Sequence, residues 1–144
     1  MIGYLDTSAF VPLLIREPTS EACRRFWDDA DVIVSSRLLY VETAAALAQA
    51  RRMGRLTKNT HLQCLRRLGL MWSELDVVEV DEQVVTAGAD LAHRLSLRGY
   101  DAVHCASAQQ LDDDEVVAAS GDQRLLTAWL ELGMATYDTT QGLR

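Results

Sequence analysis

Short apolar runs alternate with longer helical stretches along this chain, and that alternation leaves few folds open. Residues 2–5 (Ile2–Gly3–Tyr4–Leu5), 32–35 and 115–120 are apolar, brief and bounded by polar or turn residues, the pattern of strands buried on both faces. Between them, apolar positions recur at helical spacing. A short helix follows from Ser8, with Pro12 in its opening turn, and Thr19 is placed to cap a second over about 20–28. The next helix runs from Ser36 to Met53, with Gly54 as its stop. Residues 57–75 continue as a helix or helix pair that Gly69 can break. Residues 77–80 read as an edge strand and 82–98 as a helix ending at Gly99. Asp101 then stands as N-cap of a helix through Gln110, residues 122–132 form a helix stopped by Gly133, and Ala135–Tyr137 makes a last edge strand. Strands that alternate with helices in this way form a parallel sheet covered by helices. The expectation is one α/β domain over residues 1–144, with a central, mainly parallel sheet of about four to five strands flanked by helices.

Four acids share one kind of address in that pattern. Asp6 ends the first apolar run, Glu42 lies in the helix after the second, Asp101 opens the helix after Gly99, and Asp122 follows Ser120–Gly121 at the end of the last buried run. In an open parallel sheet, such strand ends converge on one crevice. Carboxylates gathered there repel one another unless a cation sits among them. Each acid alone has a plain alternative. Asp6, Asp101 and Asp122 are all placed to cap helices. Glu42 shares a helical stripe with Leu38, Leu39, Ala45 and Ala46, with no arginine at i+4, so it calls for a partner or a metal. Together the four point to a Mg²⁺ or Mn²⁺ site for phosphate chemistry, with the Ser8 and Ser120 hydroxyls placed to orient its ligands. His104 lies one turn after Asp101 and reads as a supporting or core residue rather than a ligand. Asp112–Asp113–Asp114 falls at the opposite end of the sheet and is excluded from the site.

Composition removes several rivals. Lys58 is the only lysine against thirteen arginines, and it sits at a helix start. Phosphatases and receiver domains with acidic pockets need a lysine at a strand end, which this chain does not supply, and no P-loop pattern occurs. The net charge of −7 argues at first against nucleic acid. Setting aside the four site acids and the run Asp112–Glu115 leaves 13 acidic against 14 basic residues, so the acidity is local. Cys23, Cys64 and Cys105 are odd in number and lack zinc-type spacing, which marks them as small buried hydrophobes. No apolar run approaches the roughly 18 residues that span a bilayer, and no leader pattern precedes the first strand. A cytoplasmic protein that does not enter membranes is expected.

The motifs then gather into a family likeness. Tyr4–Leu5–Asp6–Thr7–Ser8–Ala9, Tyr40–Val41–Glu42–Thr43–Ala44–Ala45–Ala46–Leu47, Asp101–Ala102–Val103–His104–Cys105–Ala106–Ser107–Ala108 and Ser120–Gly121–Asp122–Gln123–Arg124–Leu125 occur in the order of the four motifs of PIN-domain ribonucleases. The chain resembles in particular the VapC toxins of toxin–antitoxin pairs, over nearly its whole length. Serine and glycine at 120 and 121 depart from the threonine and larger residue common in the fourth motif. The resemblance implies a PIN-like three-layer fold and a metal-dependent endoribonuclease that cleaves RNA phosphodiester bonds with activated water. Asp6, Glu42, Asp101 and Asp122 would be its catalytic metal ligands for one or two Mg²⁺ or Mn²⁺ ions. It also implies a homodimer and a cognate antitoxin that blocks the acidic pocket. Arg16, Arg51, Arg52, Arg55 and Arg124 are candidates for touching RNA. Two alternatives stay open: a PIN-type nuclease outside any toxin–antitoxin system, and a catalytically silent RNA-binding or interaction module of the same fold.

Overall fold

The structure is a computed structural model, and it describes residues 1–141. Among these residues five strands form one sheet: β1 (Ile2–Leu5), β2 (Val32–Ser36), β3 (Asp76–Val78), β4 (Val116–Ser120) and β5 (Ala135–Asp138). Their spatial order is β3-β2-β1-β4-β5, and every neighbouring pair is parallel. Ile2 is in register with Val32 on one side and Val116 on the other, which places β1 at the centre. The expected edge strands are β3 and β5.

Among the described residues seven helices cover the sheet: α1 (Thr7–Phe10), α2 (Ser20–Asp29), α3 (Leu38–Arg52), α4 (Lys58–Trp72), α5 (Glu82–Leu95), α6 (Gly99–Gln109) and α7 (Gln123–Glu131). A 3₁₀ turn over Val11–Leu13 follows α1, with Pro12 in its first turn. Because successive strand residues point to opposite faces, each central strand feeds two cores. Tyr4, Val34 and Ala118 pack with Val84, Leu91, Cys105, Leu125 and Trp129 under α5, α6 and α7. Leu5, Ile33 and Ala119 pack with Phe10, Phe26, Leu39, Leu47 and Leu68 under the first four helices. The result has three layers.

Several boundaries differ from expectation, each for a local reason. Gly69 does not break α4: beyond its chain neighbours and the helix's own backbone, nothing lies within 4 Å of where its Cβ would be, and the helix passes through it on the exposed side. Gly99 does not end α5. Ser96 does so by adopting a left-handed conformation (φ 55°), and Gly99 instead starts α6. Asp101 is therefore not the N-cap; Arg98 holds that position and Asp101 lies within the first turn. Strand β2 extends to Ser36, whose side-chain oxygen accepts from the Leu38 amide and opens α3 there.

The chain runs from β1 outward through β2 to β3, then returns across the sheet to place β4 on the other side of β1. The carboxyl ends of β1 and β4 thus flank the point where strand order reverses. That is where open α/β sheets form their binding crevice.

Candidate active site

Asp6 leaves the end of β1 directly into this crevice and is 5% exposed. Its Oδ1 accepts from the Ser8 hydroxyl (2.7 Å) and the Ala9 amide (3.1 Å), the latter capping α1; its Oδ2 accepts from the Ser120 hydroxyl (2.8 Å). Each serine spends its single proton on Asp6. The 3.2 Å approach of their two oxygens is therefore proximity rather than a hydrogen bond. The serines are held in turn by backbone, with Gly121 N–H donating to Ser8 Oγ (2.8 Å) and Asp122 N–H to Ser120 Oγ (2.9 Å). Capping and site construction are the same arrangement here. Both serines donate to Asp6, although in sequence Ser120 is the neighbour of Asp122 rather than of Asp6.

Glu42 sits in the early part of α3, half-buried rather than fully turned to the core. The lone acid anticipated from sequence has partners. Its Oε1 accepts from Thr7 Oγ1 (2.9 Å) and from Nε2 of His104 (2.7 Å). His104, buried on α6, meets the Tyr4 hydroxyl at 2.8 Å through Nδ1. A carboxylate only accepts, so Nε2–H donates to Glu42 while Nδ1 meets the Tyr4 hydroxyl, an assignment made from this bonding pattern. Tyr4, His104, Glu42 and Thr7 thereby form one hydrogen-bonded chain from β1 through α6 to α3. His104 supports an acid and has no free nitrogen for proton transfer.

Asp101 is buried at 5% exposure and Asp122 caps α7 through the Arg124 amide (2.9 Å). Arg98 links them, with Nε 3.3 Å from Asp101 Oδ2 and Nη2 3.6 Å from Asp122 Oδ2. The second distance is an ion pair without a hydrogen bond. The same guanidinium lies 5.1 Å from the Tyr100 ring centre. Arg98 was not singled out in the sequence, although its position three residues before Asp101 on one helix is a readable signal.

Burial pushes the Asp6 carboxyl above the usual aspartate range, opposed by His104, Ser8, Ser120 and the Ala9 amide. Burial also raises Asp101, and the nearby Asp122 charge adds to this against the pull of Arg98. These are carboxylates short of positive charge. Among the described residues, no three His, Cys, Asp or Glu side chains stand close enough to form a ready-made metal cage. The donor set nevertheless suits a hard divalent cation. From the described residues Glu42 Oε2 and Asp101 Oδ1 receive no hydrogen bond, while Asp6 keeps one lone-pair direction beyond its three donors. Oxygen-only ligands with vacant lone pairs are what Mg²⁺ and Mn²⁺ take, usually alongside several waters.

The cysteines offer no alternative nucleophile. Burial pushes the Cys23 and Cys105 thiols up to about 11 and about 12, and Cys64 is raised as well. Of the candidate RNA-contacting arginines, Arg55 is paired with Glu17, Arg51 lies 3.5 Å from His61, and Arg124 begins α7 beside Asp122. Arg52 ends α3, while Arg16 lines a cavity on the α2 side of the sheet.

A model of the family described as the PIN domain matches residues 3–128. Ribonuclease VapC49 of Mycobacterium tuberculosis is 41% identical over 124 residues, covering 86% of each chain. Among solved structures, FitAcB from Neisseria gonorrhoeae superposes with a TM-score of 0.70 at 19% identity, covering 98% of this chain and 99% of that one. The Mycobacterium tuberculosis toxin VapC20, described as cleaving the sarcin–ricin loop, gives 0.68 at 18% identity, covering 88% and 94%.

Proposed function

This chain belongs to the PIN-domain family, among the VapC ribonucleases, and from that premise we propose that it is a Mg²⁺- or Mn²⁺-dependent endoribonuclease acting as the toxin of a toxin–antitoxin pair. The observation that carries the metal-dependent chemistry is the pair of buried carboxyls, Asp6 and Asp101, raised by desolvation on neighbouring elements, together with the free oxygens of Asp101 and Glu42. Asp6, Glu42, Asp101 and Asp122 would hold the cation. When bound, it supplies positive charge for the scissile phosphate and a water of lowered pKa for in-line attack.

The chain's own residues do the positioning. Ser8 and Ser120 fix both oxygens of Asp6, so the carboxylate does not swing when substrate enters. Thr7 and His104 hold Oε1 of Glu42 and leave Oε2 directed elsewhere. Arg98 bridges Asp101 and Asp122 and offsets their mutual repulsion. His104 is buried with both nitrogens engaged and cannot act as the base; the thiols are protonated at neutral pH. Among this chain's own groups, proton removal therefore falls to an ionised carboxylate of the site.

Cleavage of RNA by the purified protein with and without Mg²⁺ tests this reading. Asp6→Asn and Asp101→Asn should each lower the rate on the order of a hundredfold or more, the scale on which losing one preorganised charge acts. Cleavage undiminished in chelator, or variants as active as the parent, would overturn it. The toxin role and its antitoxin partner rest on the VapC relationship. Expression of this chain alone should arrest growth, and co-expression of a small protein encoded beside it should restore it. Access to cellular RNA also requires a cytoplasmic location; among the described residues no helix is long and apolar enough to cross a membrane.

A further inference from the structure

Seven of the twelve described arginines have no carboxylate or histidine partner. Arg37, Arg55, Arg94 and Arg98 are ion-paired to acids and Arg51 approaches His61. Four of the remaining seven, Arg16, Arg24, Arg25 and Arg67, line a single open cavity of about 590 Å³ between the turn after α1, the start of α2, and α4. Glu21 is the one acid among its lining residues. Its inner wall is apolar, from the buried Pro12, Leu13 and Ile15. A chain of net charge −7 thus reverses its sign at one place. Four guanidinium groups around one space repel one another, and an anion would relieve that repulsion. Their forked donors match phosphate.

A second cavity of about 440 Å³ adjoins the first, sharing Pro12, and is bordered by Thr7, Ser8, Gly121 and Thr140. Ser8 donates to Asp6, so this second cavity reaches the acidic centre. A surface of hydroxyls and glycine backbone, with one acid, Glu17, whose charge Arg55 offsets, therefore runs from the site of chemistry to the arginines.

We propose that the arginine-lined cavity is a subsite for the RNA backbone, holding substrate phosphates beyond the scissile bond through Arg16, Arg24, Arg25 and Arg67. The proposal rests on the reading that the substrate is RNA. A single strand laid along this path gains sequence-independent affinity from charge, as in other single-strand grooves. An acidic peptide would also meet arginines here, but its extension toward Asp6 and Asp101 would run into like charge. A nucleic acid at that end presents the phosphate on which the metal acts.

Binding of a short fluorescein-labelled oligouridylate, in an Asp6→Asn background that blocks turnover, tests the proposal between about 50 and 200 mM salt. The Arg24→Gln/Arg67→Gln pair should reduce the slope of log affinity against log salt by about 1.4, from about 0.7 per single-strand phosphate contact. Arg66→Gln/Arg94→Gln removes the same net charge elsewhere, at residues outside both the cavity and the candidate RNA contacts, and should leave the slope unchanged. All four side chains are exposed, and a thermal midpoint confirms that each variant is folded. With Asp6 restored, the cavity pair should raise KM several-fold and leave kcat near the parent value. Equal slopes for the two pairs would overturn the subsite. So would cavity variants that bind the oligonucleotide normally but lose the protein encoded beside this chain, which would make the cavity a protein-docking surface. Parallel cleavage by the unmodified protein separates the outcomes: no cleavage removes the nuclease reading, while cleavage with equal slopes removes only the subsite.

Discussion

One aspartate, Asp6, caps a helix, receives two serine hydroxyls and faces the crevice, all at 5% exposure. Its raised pKa has a direct consequence for stability. Below the unfolded value of about 3.9 both states hold the proton. As pH rises above it, the unfolded chain ionises first and the folded state carries an ionised, desolvated carboxylate, so this residue's contribution to stability falls with rising pH. In chelator, the melting temperature of Asp6→Asn minus that of the parent should therefore increase from pH 4.5 to pH 7; a difference independent of pH would remove desolvation as the cause. His104 makes a second residue-scale prediction. If it positions Glu42, His104→Leu should weaken Mn²⁺ binding about 10- to 100-fold by calorimetric titration. His104→Gln, which retains a donor near the place of Nε2, should recover most of that loss. Equal loss in both variants would mark His104 as core packing alone.

Among the elements, two glycines that look alike in sequence behave oppositely. A Cβ on Gly3 in β1 would lie 2.9 Å from the Phe26 ring and 3.0 Å from the Ala30 Cβ, and Phe26 is buried at 2% exposure with no room to retreat. Gly3→Ala should lower stability by about 1–3 kcal/mol through overpacking between β1 and α2. Gly69 in α4 faces open space in helical backbone, so Gly69→Ala should raise stability by about 0.5–1 kcal/mol in denaturant unfolding. The same contrast explains why Gly69 was a poor guide to a helix break. A glycine's effect on a helix depends on what packs over it and on the flanking pattern, and Cys64, Leu65, Leu68 and Met71 keep α4 anchored through that position. Ser96 shows the converse, since a non-glycine residue supplies the left-handed cap of α5 and releases Gly99 to begin α6.

At the scale of the whole molecule, metal affinity and folding are linked. A cation that binds only the folded state stabilises it by about 2.7 kcal/mol at a hundredfold excess over its dissociation constant. Mn²⁺ should raise the melting temperature of the parent and leave Asp101→Asn nearly unmoved, while an equal rise in both would place the ion elsewhere. Apolar periodicity and the strand-end acids were legible in the sequence because they depend on local pattern, whereas the order of the strands was not. The positions of Asp6, Glu42, Asp101 and Asp122 along the chain, with the serines at 8 and 120, followed from that alone. What joins them did not. Arg98 spans Asp101 and Asp122 across α6 and α7, Tyr4 reaches Glu42 through His104 a hundred residues away, and Arg67 of α4 meets Arg24 of α2 around one cavity. Sequence determined which groups arrive at the carboxyl edge of the sheet, since residue type and period specify an element and its ends. Only the tertiary structure decided which of them touch, because hydrogen bonds and ion pairs act over a few ångströms and depend on how separate elements pack.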